Sequence, residues 1–164
     1  MTMRTADWIN IIGVILNCCV GIYIAITIQN KFAKTRSLRD YFIKELTSLQ
    51  TDYSNFVDKI WQGELDAKTI KENLKSFSCR IQIIERYACK KFDLKAKEQL
   101  KEKHVDFQQE LTMMDNFNEH YKDNKLKLDN ASISVLKPKL NVFISSITEM
   151  VIDVNEAKFI SRKK

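Results

Sequence analysis

From Trp8 to Gln29 the chain reads WINIIGVILNCCVGIYIAITIQ, a run without a single charge. A helix rises ~1.5 Å per residue, so the run reaches about 33 Å, close to the ~30 Å hydrocarbon core of a bilayer. Behind it the apolar positions change character. Phe42, Leu46, Leu49, Tyr53, Phe56 and Ile60 recur at steps of four and three, as do Ile70, Leu74, Phe77, Ile81, Ile84 and Ala88. Leu100, His104, Phe107, Leu111, Met114 and Phe117, with Tyr121 beyond, form a third seam. Leu136, Leu140, Phe143, Ile147, Met150 or Val151, and Val154 form a fourth. A stripe of that period is the core-facing side of a helix. The pattern predicts an all-α chain: an N-terminal transmembrane helix with a short outer N-terminus (1–30), continuing into a cytosolic antiparallel bundle (31–164).

The punctuation agrees. No Gly or Pro stands between Gly21 and Gly63, so the first helix can run unbroken from the apolar segment to Gly63, its expected terminator. Asp66 is placed to cap the second helix and Asp93 the third. The polar stretch 122–132, KDNKLKLDNAS, reads as a loop, and Pro138 is tolerated only near the start of the fourth helix. Three Gly and one Pro are too few chain breakers for a sheet protein of 164 residues.

Trp8 and Tyr23 suit interfacial anchors, and no small-x-small cleavage site follows to mark a secretory signal. Only Arg4 precedes the run, whereas Lys31, Lys34, Arg36 and Arg39 follow it. Lys and Arg are retained in the cytosol. The expected topology is therefore single-pass in the cell (inner) membrane, N-terminus outside, C-terminal domain cytoplasmic. Within the run Gly13, Asn17, Gly21 and Ala25 recur every fourth residue, and Asn10 lies on nearly the same face. Small residues let helices approach and Asn amides hydrogen-bond across them, so the stripe points to a homo-oligomer and, with both amides on one face, to a pore lining. A dimer seam without a pore fits the same stripe.

Charge adds a second candidate. The net charge is +6, and Arg86, Lys90, Lys91, Lys95, Lys97, Lys101 and Lys103 gather around the second interhelix turn, with Tyr87 and Phe92 among them. Such a mixture can hold phosphates and stack bases, so Arg86, Lys90, Lys91 and Lys95 are candidate contacts for an anion or nucleotide. Glu85, Asp93, Glu98 and Glu102 dilute it, and the same residues favour a solvated, salt-paired surface. Cys18, Cys19, Cys79 and Cys89 lack zinc-site spacing and read as small apolar packers in a reducing compartment. His104 on its seam reads as a core-edge histidine with a satisfied hydrogen bond. No Glu-x-x-His pair, Gly-rich phosphate loop or nucleophile–base pattern occurs, so neither an enzyme nor a cofactor is expected.

Two functions fit. One is a homo-oligomeric membrane effector or ion-channel-like pore, gated by its cytosolic bundle and answering to a nucleotide or oligonucleotide. The other is a membrane-anchored adaptor that binds a protein partner and has no pore. In its size, its span Trp8 to Gln29, its stripe Gly13-Asn17-Gly21-Ala25 and its helical remainder, the chain resembles the small membrane effectors of bacterial anti-phage defence systems. The resemblance implies a short membrane region joined to a cytosolic sensor. It carries over no functional residue.

Overall fold

The computed structural model describes residues 5–94, 99–115, 117, 125–158 and 160; for residues 5–15 and for Asn17 the description stops at the backbone. Four helices are described: α1 (Thr5–Trp61), α2 (Ala67–Lys91), α3 (Gln99–Met113) and α4 (Asn130–Glu156). Among the described residues there is no strand; Asp66 and Lys125 form an isolated bridge. The chain divides into two compact units, Met1–Leu38 and Arg39–Lys164.

The second unit is a bundle built on the four seams. All six seam positions of α1 between Phe42 and Ile60 are buried, as are Ile70, Leu74, Ile81, Ile84 and Ala88 of α2. Phe77 is half-buried. Leu100, His104, Phe107 and Leu111 of α3 are buried, and so are Leu136, Leu140, Phe143, Ile147, Met150 and Val154 of α4, which decides between Met150 and its half-buried neighbour Val151. Tyr53 sits at the centre, its ring 4.9 Å from Phe77, 5.7 Å from Phe107 and 4.4 Å from Phe143, thus touching all three other helices.

The contacts fix the directions. Phe42 meets Phe92 whereas Phe56 meets Phe77, so α1 and α2 run antiparallel. Ser78 pairs with His104 and Glu85 with Leu100, so α2 and α3 do as well. Arg39 reaches Ala157 while Tyr53 meets Phe143, which sets α4 antiparallel to α1.

The turns follow from local chemistry. Gly63 takes φ +67, the left-handed region that a side chain disfavours. Its N–H bonds Ile60 O at 3.0 Å and Glu64 N–H bonds Lys59 O at 3.0 Å, the paired bonds that close a helix C-terminus. Asp66 caps α2 by accepting from Thr69 N at 2.8 Å. The polar loop continues into Leu126, which is buried and donates its N–H to Leu65 O at 2.8 Å.

Several expectations are corrected. Helix α4 begins at Asn130, inside the stretch expected to be loop, because Asp129 caps it by accepting from Ser132 N at 2.9 Å. Pro138 therefore stands more than two turns inside α4. Its ring faces solvent while Leu136, Leu140 and Phe143 bury the opposite side, so the lost backbone bond lies on the exposed face. Helix α3 closes at Met113, but Asp115 and Phe117 are again helical, and the expected seam position Phe117 is buried while Met114 is half-buried. Tyr121 lies outside the described residues. The expected Asp93 cap would serve residues 95–98, which lie outside the described residues; Asp93 gives its N–H to Lys158 O at 3.0 Å, and Leu100 N is taken by the buried Glu85 carboxylate at 3.1 Å. The cysteines are not core packers: Cys18, Cys19 and Cys79 are exposed and Cys89 is half-buried.

Candidate functional site

The first candidate is the apolar part of α1. Leu16, Val20, Ile22, Tyr23, Ile24, Ile26, Ile28 and Phe32 are all 48–72% exposed. Residues 22, 23, 24 and 32 stand at well-separated angles around a helix, so the exposure goes all the way round. An amphipathic surface helix would hide one side; this segment hides none. Thr27 gives its hydroxyl to Tyr23 O at 2.8 Å, which leaves no free donor on that side chain. Among the described residues, no helix is long and apolar enough to cross a membrane. The described side chains begin at Leu16 and omit Asn17, so they hold only part of the charge-free run from Trp8 to Gln29. The transmembrane helix is therefore unsupported at the level of those side chains.

Of the small-residue stripe, Asn10, Gly13 and Asn17 have side-chain positions outside the described residues. Gly21 and Ala25 are described and exposed. A Cβ added at Gly21 would meet nothing within 4 Å.

The second candidate is a buried polar chain in the bundle. His104 is fully buried. Its Nδ1 lies 3.1 Å from the Tyr53 hydroxyl, and its Nε2 lies 2.7 Å from Ser78 Oγ and 3.3 Å from Leu74 O. Ser78 in turn donates to Leu74 O at 3.0 Å. One set of protons satisfies every member: Tyr53 O–H donates to Nδ1, Nε2–H donates to Ser78 Oγ, and Ser78 O–H donates to Leu74 O. Burial pushes the His104 pKa down to about 4, with the Leu74 carbonyl opposing, and pushes the Tyr53 hydroxyl well above its usual range. The imidazole is thus neutral at pH 7. It is enclosed by the rings of Tyr53 and Phe143. This network ties α1, α2 and α3 together, with Phe143 of α4 packed on the imidazole, and it is a core feature, as the seam position implied.

The third is the basic cluster. Arg86, Lys90 and Lys91 are exposed on α2, and Tyr87 is half-exposed at 50%. Lys95 lies outside the described residues. Phe92 does not join them: it is fully buried against Phe42, with ring centroids 5.8 Å apart, so one of the two expected aromatic partners is lost to the core. Sequence reasoning missed that Lys68 and Lys75 occupy the same exposed face of α2. The signal was available, since positions 68, 71, 75, 79, 82, 86 and 90 step by three and four opposite the core seam. Two charged residues of α2 turn inward instead. Arg80 holds Asp52 at 2.6 Å and Ser48 at 3.0 Å, and Glu85 is buried.

The bundle also carries open grooves. One of about 330 Å³ lies between α1 and α2, with Asp52, Asn55, Lys59 and Asn73 over Phe56 and Phe77. Another of about 380 Å³ lies at Glu110, Met113, Met114, Asp115 and Ser132. Among the described residues no group of His, Cys, Asp or Glu side chains could hold a metal ion. The chain matches no family model, no curated protein and no solved structure.

Proposed function

We propose that this chain is a single-pass membrane effector: its N-terminal helix crosses the cell membrane, assembles with copies of itself into a pore, and answers to the helical bundle on the cytosolic side. The observation that carries the reading is the all-round exposure of apolar side chains from Leu16 to Phe32 on a helix that contains no break between Thr5 and Trp61. Exposing eight large apolar side chains to water costs roughly 1.5–3 kcal/mol each, against none in lipid. A coat of lipid, with other copies along the Gly21 face, removes that cost. The charges continue the case: the run from Trp8 to Gln29 carries none, and four cations follow within ten residues.

Asn10 and Asn17 give the oligomer its chemistry. An amide at that depth must bond another helix or face water. If the amides line a lumen, Asn17→Leu makes the constriction apolar, and such constrictions dewet and stop conducting. The glycines still permit close approach, so the assembly survives.

The test is ion flux through liposomes holding the purified chain, with assembly size measured in detergent. The expected result is flux from the wild type and none from an intact Asn17→Leu oligomer. Flux that is unchanged in the variant overturns the pore lining. An oligomer that conducts nothing in either form favours the tethered adaptor, in which the span only anchors a binding module.

A further inference from the structure

The bundle's charge is not spread over its helices. Within Arg39–Trp61, α1 carries Arg39, Lys44 and Lys59 against Asp40, Glu45, Asp52 and Asp58, a net of −1. Helix α3 carries Lys101 and Lys103 against Glu102, Asp106 and Glu110, and α4 carries Lys137 and Lys139 against Glu149, Asp153 and Glu156, again −1 each. Helix α2 alone carries seven cations against Glu72 and Glu85, a net of +5. Its inward charges, Arg80 and Glu85, cancel and are engaged with α1 and α3. The whole surplus therefore stands on the outward face.

That face has an order. Lys68, Lys71 and Lys75 stand at its N-terminal end, and Arg86 and Lys90 at its C-terminal end, all exposed and within one narrow stripe; Lys91 flanks them. From Lys68 to Lys90 the stripe runs about 33 Å. Between the two cationic clusters lie the exposed Cys79, Gln82 and Ile83, with Tyr87 beside Arg86. Glu72 is the one acid on the face.

We infer that the outward face of α2 docks a single-stranded nucleic acid. Two lysine-rich clusters neutralise phosphates at separated points of an extended strand, and the neutral stretch between them offers Tyr87 and Ile83 to base faces and Gln82 to base edges. The lysines act as point charges without a rigid geometry, which suits a flexible backbone more than a single nucleotide held in a pocket. The inference names what the bundle receives in the effector reading, yet it stands on α2 alone and does not require the N-terminal run to cross a membrane.

The experiment uses the full chain in nonionic detergent and a fluorescent oligothymidylate longer than the ~33 Å face. Anisotropy is titrated across a series of NaCl concentrations. Neutralising about four phosphates predicts a log–log slope near −3. Arg86→Gln with Lys90→Gln removes two contacts and should bring the slope to about −1.5, with about a tenfold loss of affinity at low salt. Lys137→Gln with Lys139→Gln, on exposed positions of α4, changes the net charge equally and should leave both values alone. Circular dichroism of each variant confirms that the helices are intact. An equal fall in the α4 control overturns the inference, as does failure of the wild type to bind at low salt. Binding of anionic lipid vesicles through Arg86 and Lys90, with no oligothymidylate binding, overturns it in favour of a membrane surface. Binding without ion flux would sink the pore and leave this inference standing; flux without binding would do the reverse.

Discussion

Helix α1 carries two apolar patterns on one continuous backbone. From Arg39 to Trp61 its large side chains follow steps of four and three, and Leu46, Leu49 and Tyr53 are fully buried. From Leu16 to Phe32 they stand on every side, and all eight remain exposed. Helix propensity does not separate the two halves, for Ile, Leu and Tyr occur in both. What separates them is whether the polar positions leave an apolar face or an apolar cylinder. A face is completed by other helices of the same chain; a cylinder is left for something outside it.

Truncating each half should expose the difference most strongly. Leu49→Ala removes a side chain packed on all sides and should cost roughly 2–5 kcal/mol in denaturant unfolding of the detergent-solubilised chain. Ile24→Ala, in the exposed segment, should change that value by less than about 0.5 kcal/mol. Comparable losses would mean that the bundle draws stability from the N-terminal run, and the division would fail.

The next effect belongs to the bundle alone. His104 is held at about 4 when folded, against ~6.5 unfolded. A depressed folded pKa for a base means that the neutral form is favoured by folding. Its contribution is complete above about pH 6.5 and is lost as pH falls from there through 4, amounting to about 3 kcal/mol over the full range. His104→Gln should be less stable at pH 7 but show a shallower loss between pH 6.5 and 4. Parallel stability curves for the two proteins would contradict the buried, neutral imidazole.

The seams were readable because a bundle core repeats with the helical period, and nearly every position they named is buried. What the period could not supply lies at the ends. Phe92, Leu94 and Leu126 are buried outside any regular helix, closing the bundle where the chain turns. Phe92 was legible only as an aromatic among lysines; nothing local says that it turns toward Phe42. The early start of α4 rests on the Asp129 cap, a signal present in the sequence but hidden in a run of Asn, Asp and Lys. The α2 face was half legible. Its C-terminal cluster stood out by density, whereas Lys68 and Lys75 join it only when the face opposite the α2 seam is traced along the whole helix.

Gly63 gives a smaller, local effect in the bundle. With φ at +67, Gly63→Ala forces a side chain into the left-handed region and should cost about 1–2 kcal/mol in the same unfolding assay. Gly21→Ile should cost the folded chain nothing, since a Cβ there meets no atom within 4 Å. Any effect must then arise between molecules. The prediction is weaker crosslinking of Gly21→Ile in membranes with unchanged bundle stability, while Ile22→Leu crosslinks like the wild type. Equal crosslinking of all three would remove Gly21 from the interface.

The native thiols test the central claim most directly. Cys18, Cys19 and Cys79 are all exposed on the single chain, so any difference in their reactivity comes from what surrounds it. In inverted membrane vesicles, where the cytosolic side faces the medium, a membrane-impermeant maleimide should label Cys79 promptly. Cys18 and Cys19 should stay unlabelled until the membrane is dissolved and the chain denatured. Labelling of Cys18 and Cys19 at the rate of Cys79 in sealed vesicles would contradict the transmembrane assignment of the N-terminal helix.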